Sequence, residues 1–172
     1  MKSIYVVKMA MYLALFAVLD FVAASSGIFV MPQGGSLGLG AVALILASID
    51  LGWRKGLLLA LVSIAIQAIT SPPLYFVAWG QFFLDYILAY GVYGMTVLYP
   101  IYNRKGFSLV FGVIIVNLLR LLFHVISGVV YYGVPWIGSI TYNSWYMIPT
   151  LIVSFVLVGG LLPRLNLQKN KK

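Results

Sequence analysis

The sequence predicts an all-α integral membrane protein with six transmembrane helices and both termini in the cytoplasm. Three observations carry that expectation. Hydrophobic residues make up 63% of the 172 and charged residues only 8%, whereas soluble domains carry about 25% charge. The apolar residues fall into six runs divided by proline, glycine or charge, several of them long enough to cross a hydrocarbon core of about 30 Å. Finally, a six-span count puts ten of the eleven Lys and Arg at one membrane face, the one that the positive-inside rule makes cytoplasmic.

Taken in order, the expected spans are 4–24, 37–50, 56–70, 74–99, 107–132 and 144–162, forming one domain over 1–172. The first follows Lys2 and carries Lys8; Asp20 near its end and the spans that follow favour a retained helix over a cleaved signal. Ala10, Ala14 and Ala17 recur along it at helical spacing, a smooth strip for a close-packed neighbour inside or outside the protein. A charge-free loop with Pro32, Gly34 and Gly35 leads to a short second span, which Asp50 to Gly56 separates from an equally short third. Ser71-Pro72-Pro73 ends the third, because consecutive prolines cannot continue a helix. The fourth span ends near Pro100, the turn Asn103-Arg104-Lys105-Gly106 leads into the fifth, and a charge-free loop over 133–143 precedes the sixth.

The net charge of +8 is thus topogenic, and anionic lipid is a sufficient partner for it. No soluble basic surface exists to follow nucleic-acid phosphates. Without cysteine or glutamate and with a single histidine, the chain offers no disulfide framework and no zinc site of its own. It calls for no cofactor. Walker, Gly-x-Ser-x-Gly and paired-carboxylate patterns are absent, so an enzyme has little support.

The chemistry concentrates in Gln81 to Tyr86, which sets Asp85 inside a long apolar helix. An ionised side chain at mid-bilayer costs about 2.5–3.5 kcal/mol on insertion scales, so such an acid marks a site and needs a partner. The eleventh cation, Arg120, and the lone His124 lie in the fifth span. At 1.5 Å per residue from the outer ends, His124, Asp85 and Arg120 sit roughly 12, 15 and 18 Å deep, within one layer. Asn117, Arg120, His124, Ser127 and Tyr131 form one helical stripe, and Gln81 and Asp85 share a face of the fourth span. Two readings stand: interhelical glue, in which Asp85 and Arg120 neutralise each other, or the polar wall of a cavity. The outer ends are crowded with Tyr75, Phe76, Trp79, Tyr131, Tyr132, Trp136, Tyr142, Trp145 and Tyr146. These suit either an interfacial belt or a site that stacks flat rings.

Four motifs in register carry a family resemblance. Pro32-Gln33-Gly34-Gly35-Ser36-Leu37-Gly38-Leu39-Gly40, Tyr75 ahead of Gln81-Phe82-Phe83-Leu84-Asp85-Tyr86, Arg120 to Gly128, and Tyr142 to Met147 resemble the thiamin-specific S component of energy-coupling factor transporters. The resemblance implies an S-component-like bundle that binds thiamin with high affinity near the outer face. It also implies partners, a transmembrane coupling protein and two ATPase subunits, which would use the ATP in place of this chain. By the same resemblance Asp85 is the acidic pocket residue, His124 and Gly128 are pocket positions, Tyr75 and Tyr132 are aromatic positions and Asn143 is an amide ligand. Gln81, Tyr86 and Arg120, from the same motifs, complete the expected binding set, and Ala10 and Ala14 form the strip that docks on the coupling protein. The chain departs from relatives at Gly138, where they carry an aromatic, at Tyr132, a tryptophan in some, and at Ser36 and Gly38, where an acid is absent. An S component for another flat heterocycle, or a stand-alone proton-coupled carrier using Asp85 and His124, are the competing expectations.

Overall fold

The computed structural model describes residues 2–71, 74–165 and 167. The elements are α1 (Lys2–Ser25), α2 (Gly40–Leu51), α3 (Trp53–Thr70), a composite helix α4 over 79–98, a hairpin of β1 (Ile101–Arg104) and β2 (Phe107–Val110), α5 (Phe111–Tyr132) and α6 (Trp136–Leu165). These give six helices, of which α1, α3, α5 and α6 are long and apolar enough to cross a membrane. α2 has 12 residues, only about 18 Å of rise. Its length is compensated by enclosure: all its residues but Asp50 are buried, since α1, α3, α4 and α6 surround it. A helix apolar on every side needs such a position.

Two of the basic segments meet. Lys8 on α1 reaches Asp50 at the end of α2, with Nζ 2.9 Å from Oδ2, and Tyr12 donates to the same carboxylate at 3.3 Å. Lys55 lies 3.8 Å above the ring of Tyr5. The start of α1 and the α2–α3 junction therefore share the inner end. There the helices approach closely: Ser48 Oγ donates to Gly94 O at 2.7 Å, and a Cβ on Gly94 would fall on the backbone of Leu57. Phe16, Leu44, Ile45, Leu59, Tyr93 and Val113 fill the layer above.

Several boundaries differ from the sequence expectation. The α2–α3 junction is sharper, because Gly52 alone, at φ 87°, breaks the helix and Trp53 restarts it. α2 begins at Gly40 rather than 37, after a short turn in which Leu39 N donates to Leu37 O and Ala41 N to Gly38 O. The fourth helix starts at Trp79 rather than at 74, because side chains take the amides ahead of it. Tyr75 N donates to Tyr86 Oη at 2.9 Å, and Val77 N to Gln81 Oε1 at 3.1 Å. Residues 107–110 pair with β1 instead of opening the fifth helix; Gly106 at φ 77° makes the turn, and burial alternates along β2. The sixth helix begins at Trp136 instead of 144, with Ser139 N donating to Pro135 O at 2.9 Å, and runs on through Pro163 to Leu165. A charge-free but polar segment lacks the hydropathy of a span, yet a helix can use those polar residues on an inward face.

Candidate functional site

Towards the outer end the helices separate around a cavity of about 630 Å³, within the roughly 300–1,000 Å³ usual for small-molecule sites. Its walls come from α1, α3, α4, α5 and α6, and the 26–39 loop covers it. All nine expected binding residues line it: Tyr75, Gln81, Asp85, Tyr86, Arg120, His124, Gly128, Tyr132 and Asn143.

Local structure aims Asp85. Phe83–Leu88 is a π-helical turn inside α4, the kind of insertion that re-aims side chains and recurs at functional sites. It brings Asp85 against α5, one helical turn further out than Arg120. Ser127 Oγ donates to Oδ2 at 2.7 Å and Gln81 Nε2 to the same oxygen at 2.8 Å. His124 Nδ1 stands 2.9 Å from Oδ1. On the other side of the imidazole, Arg120 Nε donates to Nε2 at 3.2 Å. An arginine is always a donor, so Nε2 must accept, and the ring is neutral with its proton on Nδ1, donated to Asp85. Arg120 and Asp85 are thus linked through a neutral histidine; no direct ion pair joins them among the described residues.

Arg120 is 7% exposed. Its Nη1 donates to Tyr93 Oη at 2.9 Å, and its guanidinium carbon lies 4.7 Å from the Tyr90 ring centroid and 5.4 Å from that of Tyr93. Buried and stacked in this way, the charge is held without a contacting carboxylate. Asn117, one turn deeper on the same stripe, is occupied in the core by Tyr93 and Ser154.

The aromatics divide by chemistry. Trp79 is 80% exposed and Trp145 62%, and Phe76 and Trp136 are exposed as well, so these face lipid as an interfacial belt would. The tyrosines Tyr75, Tyr86, Tyr132, Tyr142 and Tyr146 line the cavity. Two of them fasten the loop above it. Tyr75 Oη donates to Pro32 O at 2.9 Å and Tyr142 Oη to Gly34 O at 3.1 Å, while Gln33 N donates to Tyr142 Oη at 3.0 Å. Gly35, at φ 94°, lies on Tyr146, where a Cβ would stand 2.6 Å from Cε1; only glycine meets both demands. Asn143 donates to Ser139 O at 2.9 Å and accepts from Tyr146 Oη at 2.8 Å, which fixes the amide. Gly128 lets Ser139 cross close to α5.

Ala10 and Ala14 are exposed on α1, whereas Phe16, Asp20 and Ala23 of the same helix are buried. Asp20, Gln67, Ser71 and Tyr90 line the cavity although sequence reasoning did not place them there. The rule that singled out Asp85, an acid inside an apolar span, applies to Asp20 too. Among the described residues no group of three or more His, Cys, Asp or Glu is placed to hold a metal.

A multi-pass membrane bundle with a polar, tyrosine-lined cavity beneath an outer loop is the architecture of a membrane transport protein that holds a small solute. The chain belongs to the thiamine transporter protein family, whose sequence profile matches residues 6–170. It is 34% identical to the thiamine transporter ThiT of Bacillus subtilis in an alignment that covers 91% of this chain and 89% of that one. Its fold is similar to the solved structure of ThiT from Listeria monocytogenes, with a TM-score of 0.71 at 19% identity over 96% of this chain and 97% of that one.

Proposed function

We propose that this chain is the thiamin-binding membrane subunit of an ATP-driven energy-coupling factor importer. It captures the vitamin from the outer face and delivers it inward together with a transmembrane coupling protein and two ATPase subunits. The observation that carries the reading is the cavity itself, in which flat tyrosine faces surround the Asp85–His124–Arg120 chain under a loop held by tyrosine hydroxyls. Asp85 keeps acceptor capacity beyond its protein donors and can take an amino proton of the aminopyrimidine, while tyrosine faces stack on the rings and favour a cation. Ala10 and Ala14, exposed on α1, offer the smooth strip on which the coupling protein docks.

Titration of the purified protein in detergent tests the ligand: thiamin should bind one to one, and preferential binding of another flat heterocycle would redirect the substrate. Uptake tests the partners. In cells lacking the coupling proteins thiamin accumulation should vanish, whereas persistent gradient-driven uptake would establish a stand-alone carrier. Ala14→Trp should abolish uptake with the module present and leave binding in detergent unchanged; loss of both would place Ala14 in folding instead.

A further inference from the structure

The α1–α3 side of the cavity holds polar groups for which the protein supplies no partner. Asp20 on α1 is 5% exposed, and its Oδ2 accepts from Thr70 Oγ1. Ser71 lies beside this carboxylate. Its Oγ and the amide oxygen of Gln67 are both buried without a hydrogen-bond partner. All three residues line the cavity.

Charge counting separates this wall from the other. Apart from tyrosines, the ionisable residues around the cavity are Asp20, Asp85, Arg120 and His124. Asp85 and Arg120 offset each other through His124, whose bonding keeps it neutral. Arg120 is within electrostatic reach of Asp20, but two of its five N–H groups go to His124 and Tyr93, its face lies over Tyr90, and no ion pair joins it to Asp20 among the described residues. With Asp20 ionised, one carboxylate remains in excess and the cavity carries a net negative charge, and the oxygens left over lie beside that carboxylate. Such an array suits a cation and repels an anion.

We propose that Asp20, with Gln67 Oε1 and Ser71 Oγ, forms a cation subsite whose carboxylate is the counter-charge for the positively charged part of the ligand. This rests on the reading of the ligand as thiamin, whose thiazolium ring bears a permanent positive charge. Asp85 and its network then recognise the aminopyrimidine, and Asp20 sets the preference for a charged over an uncharged second ring.

The test compares thiamin with a neutral isostere in which carbon replaces the quaternary nitrogen, each titrated into the full-length protein in detergent. For Asp20→Asn, thiamin affinity should fall at least about tenfold while isostere affinity stays within about threefold of wild type. Asp20→Glu should retain the preference for the cation. Equal losses for both ligands would make Asp20 a structural residue and overturn the subsite, as would unchanged thiamin affinity. If Asp20→Asn does not fold, Gln67→Leu gives the same comparison without touching the Thr70 bond. There a selective loss of about threefold for the cation supports the subsite and an equal or absent loss overturns it. Wild-type protein that binds no thiamin would overturn the ligand assignment and the subsite with it; wild-type binding with unaltered selectivity in the variants would overturn the subsite alone.

Discussion

At the inner end, Ser48, Gly56 and Gly94 bring α2, α3 and α4 together until backbone meets backbone, whereas at the outer end helices of the same bundle stand apart around about 630 Å³ of space. The inner half is sealed by small residues and large apolar side chains. The outer half keeps buried polar groups, two of them unpaired, each at a cost of about 1–3 kcal/mol. Such a cost is sustainable where a tightly packed neighbour supplies the stability, and it leaves groups ready for a ligand to satisfy. One half holds the fold and the other keeps the cavity.

Gly94→Val should break that division most severely. Its added atoms would meet the backbone of Leu57, which cannot rotate away as a side chain would. The expected loss is at the upper end of the about 1–3 kcal/mol typical of overpacking, read as a lower thermal midpoint in detergent. An unchanged midpoint would show that the inner contact is looser than the geometry implies.

Asp85→Asn sharpens the comparison from the other side. An amide would turn an NH2 group toward one of the donors Gln81, Ser127 or His124. Affinity for thiamin should drop more than about tenfold, or 1.4 kcal/mol, while the thermal midpoint falls less than in Gly94→Val, because the inner packing is untouched. Unchanged affinity would remove Asp85 from the binding set.

Tyr142→Phe carries the smallest expected effect. It deletes the bonds to Gln33 N and Gly34 O that help hold the loop over the cavity, and a typical intramolecular hydrogen bond contributes about 0.5–1.5 kcal/mol net. Ligand release should quicken by about threefold, and the amides of 31–36 should exchange faster with solvent. An unchanged release rate would mean that the loop is held by other contacts.

The polar wall was legible because helical spacing is rigid. Arg120, His124 and Ser127 fall on one stripe at steps of four and three, and Gln81 and Asp85 share a face four residues apart. The Asp85–His124–Arg120 order was not, since the helix starts at Trp79 and a depth counted from 74 sets Asp85 too far from its outer end. The early start of α6 was obscured by Ser139, Thr141, Tyr142 and Asn143, which lower the hydropathy of a segment that turns Ser139 and Asn143 inward. The hairpin was hidden because Phe107, Leu109 and Val110 suit an apolar helix as well as a strand. Asp20 was visible as an acid in an apolar span, but nothing local to it reveals Gln67 and Ser71, some fifty residues away, as its neighbours.

By itself the sequence determined the solvent, the number of helices and the α5 stripe from which Arg120 and His124 reach the cavity, because hydropathy and the 3.6-residue period act over one helix at a time. Tertiary structure decided which hydroxyls hold the loop, which aromatics face lipid and which acid lies without a basic partner among the described residues. Those outcomes depend on distances between helices far apart in the chain, and partner atoms in a low-dielectric interior are chosen by ångströms that no local pattern encodes.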